Sequence, residues 1–193
     1  MKRSLTLVLA SLLLFGGVYF CFQFFKIELK ARAAQTLLQY AWHKTIKTGE
    51  SQRPWKSFDG KPLLRLIIPR LEVDQIVLSG TSGQVLAFGP GFHDESKLPG
   101  DGGTTVLSSH RDSHGVYIKQ LKKGDIIKLQ DHLQKWYSYT IENFEILNVK
   151  TDTISTTDSK EVLLIITCYP FNGITSETPL RYVVSAIQNL GEI

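Results

Sequence analysis

From Leu63 onward the chain is written in short runs of aliphatic, β-branched and aromatic residues, each broken off by Gly, Pro or Asp. The runs are Leu63–Ile68, Gln75–Leu78, Thr104–Ser109, Asp125–Leu129, Trp136–Val149, Val162–Thr167 and Leu180–Ile187. Segments this short and this rich in branched and aromatic side chains favour strands over helices. Lys123-Gly124 marks a turn ahead of Asp125-Ile126-Ile127, and Trp136–Ile141 reads as a long aromatic strand. Only Ser82–Phe88 looks like a short helix, closed by Gly89-Pro90-Gly91. With no internal repeat and no low-complexity tract, this pattern predicts a small, mostly antiparallel, all-β barrel or sandwich.

The N-terminal end is different in kind. Ser4–Phe25 is a run of 22 residues without a charge, and roughly 20 apolar residues suffice to cross a bilayer. A cleaved leader has a shorter apolar core, about 7 to 15 residues, and the small-x-small triplet Ala31-Arg32-Ala33 lies beyond Lys26 and Lys30. The run is therefore expected to be an uncleaved transmembrane signal-anchor over residues 1–26. Basic residues flank it on both sides (Lys2 and Arg3; Lys26, Lys30 and Arg32), so their count leaves the orientation open. A long C-terminal domain can translocate regardless of flanking charge, which favours N-inside, C-outside. That places the C-terminal domain on the extracytoplasmic, periplasmic side of the cytoplasmic (inner) membrane. Cys21, within the run, reads as an incidental thiol.

Beyond the run, Ala34, Leu37, Leu38, Ala41, Trp42 and Ile46 recur at three- and four-residue spacing, one face of an amphipathic helix. Thr48–Pro62 turns polar and carries Gly49, Pro54, Gly60 and Pro62, as a linker does. Residues 27–62 thus form a juxtamembrane helix and linker, and 63–193 the main domain. Of the 193 residues 42% are hydrophobic, enough for one such core. The net charge of +4 comes mainly from the N-terminal end: past residue 26 there are 19 basic against 18 acidic residues, which gives no support to nucleic-acid binding.

Two cysteines are present, and Cys168 is the one outside the apolar run. It sits in Ile166-Thr167-Cys168-Tyr169-Pro170. An unpaired thiol in an exported domain invites a functional reading. Upstream, Leu107-Ser108-Ser109-His110-Arg111-Asp112 is an apolar run ending in a polar cluster; downstream, Arg181 opens Leu180–Val184. A thiol beside an imidazole in a cationic, partly buried site favours a thiolate–imidazolium pair. Such a thiolate can attack an acyl carbon, the imidazolium can protonate a leaving amine, and a guanidinium can hold the oxyanion. Taken singly, each residue has a plainer reading: Cys168 as a small core residue, His110 as one of five histidines, Arg181 as a surface charge.

The ordered set Leu86-Ala87-Phe88-Gly89-Pro90-Gly91, Leu98-Pro99-Gly100, Val106–Asp112, Ile166-Thr167-Cys168 and Leu180–Val184 resembles the sortase family of membrane-anchored cysteine transpeptidases. The resemblance covers Leu63 to about Leu190. Phe-Gly-Pro-Gly, His-Arg-Asp and Thr-Cys-Tyr-Pro-Phe look most like the sortases of Gram-negative bacteria, class GN. The resemblance implies an eight-stranded β-barrel with short helices and cleavage of a Leu-Pro-x-Thr-Gly-like C-terminal sorting motif of an exported protein. The acyl group would be held on Cys168 and passed to an amine acceptor. It implies His110 as general acid and base, Arg181 as oxyanion and substrate stabiliser, and Thr167 as a residue positioning the thioacyl group. No cofactor or metal is called for. Where many sortases have Ala-Gly or Ser-Gly before the histidine, this chain has Ser108-Ser109.

Other readings are weaker. Ser113-His114-Gly115 is superficially similar to the Ser-His-Gly-Cys signature of L,D-transpeptidases, but position 116 is Val. A zinc site from His110 and His114 would have Arg111 where the metalloprotease motif needs Glu. Asp94-Glu95 is a thin basis for calcium, and His114 is expected to be a solvated loop residue. A non-catalytic binding barrel on a membrane stalk, with Cys168 merely packed, is the remaining alternative; thiol reactivity would separate it from an enzyme.

Overall fold

A computed structural model describes residues 2–154, 156, 160–173 and 178–189. The chain divides into two compact units, residues 1–37 and 38–193. A single helix, α1 (Lys2–Thr48), supplies the first unit and enters the second. The span expected over Ser4–Phe25 falls partly on residues whose side chains lie outside those described. Among the described residues no helix is long and apolar enough to cross a membrane. Those described between Leu12 and Phe22 include Leu12, Leu13, Leu14, Phe15, Val18, Tyr19, Phe20 and Phe22, all exposed.

The second unit is a closed eight-stranded barrel: β1 (Pro62–Ile68), β2 (Val73–Ser79), β3 (Gly91–Phe92), β4 (Thr104–Ser108), β5 (Ile126–Gln130), β6 (Trp136–Asn148), β7 (Val162–Cys168) and β8 (Leu180–Gln188). Around the barrel the order is β1-β2-β3-β4-β7-β8-β6-β5, and β5 pairs back onto β1. Neighbours are antiparallel except β2 with β3 and β4 with β7. The second exception matters for function, because parallel neighbours expose their C-terminal ends at the same rim.

Strict alternation in β1 buries Leu64, Leu66 and Ile68 and turns the residues between them outward. These join Leu107, Ile127, Leu129, Tyr139, Leu163, Ile165 and Val184 in the barrel interior. Each fully buried Leu or Ile there contributes about 1.5–3 kcal/mol. Strand β7 breaks the alternation, with Leu163 through Thr167 all buried. The reason is a second apolar layer: on the outer face Leu164 and Ile166 pack with Val106 and Val183, beneath Leu147, Ile154 and Val162. A strand covered on both faces reads as a continuous apolar run, which is what Val162–Ile166 is.

Between β2 and β3 lies the short helix α2 (Gly83–Phe88), started by Ser82, whose side chain accepts from the Val85 N–H at 3.3 Å. A third apolar cluster joins Leu38 and Trp42 of α1 to Phe58, Ile76, Leu78 and Val85. Trp55 and Phe88 close on Phe58 with ring centroids 4.5 and 5.6 Å away. Within the segment that reads as a polar linker, Phe58 is fully buried while residues 48–51, 53, 56, 57 and 59 are exposed, and the compact unit that contains the barrel runs from Leu38.

Candidate active site

Strands β4 and β7 run side by side in the register Ser108↔Ile166. Pairing continues one residue past β4, where the Ser109 N–H donates to the Ile166 carbonyl at 3.0 Å. The Thr167 hydroxyl then donates to the Ser109 carbonyl at 2.8 Å, in a buried position. His110 and Cys168 are the next residues on their two strands, so they leave one locked point together. They line a single cavity of about 170 Å³ with Arg111, Asp112 and Ser113. That is smaller than the roughly 300–1,000 Å³ typical of ligand pockets, and suits a notch for reacting atoms. A larger concavity, about 720 Å³, opens beside Ile67, Lys128 and Trp136 on β1, β5 and β6, and holds none of these residues.

His110 is exposed and Cys168 partly so. Alternation puts Cys168 on the outer face with Leu164 and Ile166 and turns Thr167 inward, where it is 2% exposed. A purely packed cysteine would sit among the buried positions preceding it; Cys168 instead ends the strand at a cavity. Across the β7–β8 ladder Cys168 is paired with Arg181. The Arg181 guanidinium, through Nη1, donates to the carbonyls of Thr178 at 2.6 Å and Leu180 at 3.0 Å. Among the described residues lining the cavity, Arg181 is not one. The structure thus brings His110 and Cys168 together, holds Arg181 one strand away, and uses the Thr167 hydroxyl to anchor the chain ahead of His110.

Two further residues, Arg111 and His93, stand at the site without a role legible in the sequence. Arg111 lines the cavity yet is only 6% exposed. Its Nε and Nη2 donate to the two carboxylate oxygens of Asp112 at 2.9 and 2.8 Å. Its Nη1 donates to the Pro170 carbonyl and Nη2 to that of Gly173, each at 2.7 Å. The Asp112 carboxyl is held below the usual carboxylate range, first by the hydrogen bonds from Arg111 and against a smaller opposing effect of desolvation. The signal was present in His110-Arg111-Asp112, but neighbours in sequence do not reveal which one is buried. The second is His93, whose Nε2 lies 2.7 Å from the Ser108 hydroxyl at the end of β4. Burial pushes its pKa down, opposed by the charges of Asp94 and Glu95.

His114 is half-buried rather than solvated, with Nε2 3.2 Å from the Ala87 carbonyl. Beside it, the N–H of Gly115 donates to the His110 carbonyl at 2.8 Å, and a Cβ at Gly115 would lie 2.8 Å from that same oxygen. Only glycine fits so close to the backbone there. Among the described residues no group of three or more His, Cys, Asp or Glu is placed to share a metal ion.

The sortase-domain family profile matches residues 66–189, from the second half of β1 to the end of β8, and takes in every residue of the cavity. The chain belongs to the sortase family. It is 32% identical over 125 residues to sortase D of Bacillus subtilis (strain 168), a match spanning 62% of this chain and 60% of that relative. Among solved structures, a Clostridium perfringens sortase D5 transpeptidase superposes with a TM-score of 0.61 at 20% identity, covering 82% of this chain and 97% of the other. Sortase C of Clostridium perfringens, solved with the C-terminal cell wall sorting motif, gives a TM-score of 0.57 at 21% identity, over 83% and 89% of the two chains. At that identity the two structures speak for the barrel fold.

Proposed function

We propose that this sortase is a cysteine transpeptidase that cuts a Leu-Pro-x-Thr-Gly-like sorting motif near the C-terminus of an exported protein and passes the acyl group to an amine. The observation that carries the reading is the convergence of His110 and Cys168, from two parallel strand ends of a sortase barrel, on one cavity. In this reaction the Cys168 sulfur adds to the scissile carbonyl carbon, giving a tetrahedral oxyanion. As that collapses, the C–N bond breaks and His110 protonates the departing amine, leaving a thioester on Cys168. His110 then takes a proton from the incoming amine, whose nitrogen displaces sulfur, so a peptide bond replaces the thioester and the thiol is restored. Arg181, register partner of Cys168, supplies the guanidinium for the oxyanion once its fork turns from the Thr178 and Leu180 carbonyls to the substrate. Thr167 serves by fixing Ser109, and through it His110.

The uncharged Ser4–Phe25 run and the exposed apolar side chains between Leu12 and Phe22 support a membrane anchor, with the barrel on the extracytoplasmic side. The Phe-Gly-Pro-Gly, His-Arg-Asp and Thr-Cys-Tyr-Pro-Phe motifs support placement in class GN, beside relatives named as D and C types. The test of the reading is Cys168→Ala, which should abolish cleavage of sorting-motif peptides with the fold retained, while Cys21→Ala leaves turnover unchanged. Substantial turnover by the Cys168 variant would overturn it.

A further inference from the structure

A guanidinium that is nearly fully buried requires acceptors for its donors, since a buried charge without partners is strongly disfavoured. Arg111 has them, and their arrangement is directional. One side of the fork is held by Asp112, the residue next to it; the other reaches the carbonyls of Pro170 and Gly173, in the chain leaving Cys168. Arg111 directly follows His110, and Pro170 lies two residues past Cys168. Its hydrogen bonds therefore close a second link between the histidine strand and the cysteine strand. The first, Thr167 to Ser109, lies inside the barrel just before the reacting pair; the Arg111 link lies just after it. The two bracket His110 and Cys168.

Resting on the sortase reading, we propose that Arg111 is a positioning residue that clamps the Pro170–Gly173 turn to the His110 loop and so fixes the approach of Cys168 and His110 to the scissile bond. Three features distinguish this from a surface ion pair. Its side chain is 5% exposed, whereas that of its partner Asp112 is 71% exposed. It forms a wall of the cavity that holds Cys168. Its charged form is favoured first by the hydrogen bonds to Asp112, against the effect of burial, and then by the charges of Asp112 and Cys168. Gly173 belongs to the same device, because a Cβ there would lie 2.7 Å from Arg111 Nη1 and push the fork off its carbonyls.

A lysine keeps the charge but, as a single ammonium, cannot span Asp112, Pro170 and Gly173 together. The experiment compares the full-length wild type with Arg111→Lys and Gly173→Ala, using a sorting-motif peptide and an amine acceptor, with kcat, KM and melting temperature read for each. A misplacement of about 1 Å can lower a rate by on the order of 100-fold. The expected result is a fall in kcat on that scale in both variants, with KM within about threefold and a melting transition that is lowered but cooperative and still well above the assay temperature. Amide exchange should also quicken at Phe171–Gly173 in both. Wild-type kcat in either folded variant would overturn the clamp. So would a rise in KM alone, which would make Arg111 a substrate contact, or a loss of kcat matched in both variants by unfolding, which would make it purely structural. A wild type inactive on every sorting peptide, with exchange still quickened in the variants, would sink the sortase activity and leave the clamp standing.

Discussion

Replacing Thr167 by Val removes one hydroxyl and almost nothing else in volume, at the point where β4 and β7 are locked. The lost interaction is a buried 2.8 Å hydrogen bond to the Ser109 carbonyl. The bond itself contributes about 1 kcal/mol net, and leaving a buried carbonyl without its donor costs about 1–3 kcal/mol. A loss near 2 kcal/mol in a unit of this size lowers the melting temperature by roughly 4–8 °C. Because the carbonyl belongs to the residue before His110, kcat/KM on a sorting peptide should fall by about tenfold or more as the imidazole drifts. Thr167→Ser keeps the donor and loses only a methyl, so it should retain most activity. Thermal melts and steady-state kinetics on the three proteins decide the matter. If Val melted and turned over like the wild type while Ser did not, the hydroxyl would not be the lock.

Gly115→Ala places a Cβ 2.8 Å from the His110 carbonyl and 3.1 Å from Ser109 Cβ, so peptide cleavage should drop about tenfold or more while the barrel still folds; unchanged kinetics would show that the loop yields. Arg181→Lys keeps charge without the fork, and transpeptidation should fall by about 100- to 1000-fold with melting nearly unchanged, whereas wild-type kinetics would make it a surface charge. His93 and His114 both have imidazole pKa values lowered chiefly by burial, so the folded chain binds fewer protons at these sites than the unfolded one. That stability is complete above the unfolded value of about 6.5 and declines as pH falls through it. Urea midpoints should therefore be lower at pH 5.5 than at 7.5, and the gap should narrow in His93→Gln; an equal or higher midpoint at pH 5.5 contradicts the assignment. A reporter active only outside the cytoplasm, fused after Ile193, should be active, and a signal confined to a cytoplasmic reporter would reverse the orientation.

Seven of the eight strands were legible as branched and aromatic runs because each is long enough to show a period or a continuous apolar face. The missing one, β3, has only Gly91 and Phe92, too short for any pattern. The ring order was not legible: the parallel β4–β7 contact joins residues more than fifty positions apart, and local composition carries no trace of it. That is also why Cys168 and His110 could be proposed from motif order while their shared cavity had to come from the fold. The sequence motif marks Thr167 but carries no information on its direction. Only strand alternation shows it facing inward to Ser109. Arg111 and Asp112 look equivalent in the sequence, and burial separates them, 6% exposed for the arginine against an exposed carboxylate. In the polar stretch from Thr48 to Pro62 the burial of Phe58 against Trp55 is not legible, because that aromatic pair is outnumbered by linker-type residues.

The central claim is that sulfur at Cys168 carries the acyl group. Wild-type protein mixed with a Leu-Pro-x-Thr-Gly-type peptide, without an amine acceptor, should gain the mass of the N-terminal acyl fragment. Peptide mapping should place that adduct on Cys168, hydroxylamine should release it, and Cys168→Ala should never acquire it. Turnover of the peptide by wild type with no adduct at Cys168, or an adduct that persists in Cys168→Ala, would contradict the account.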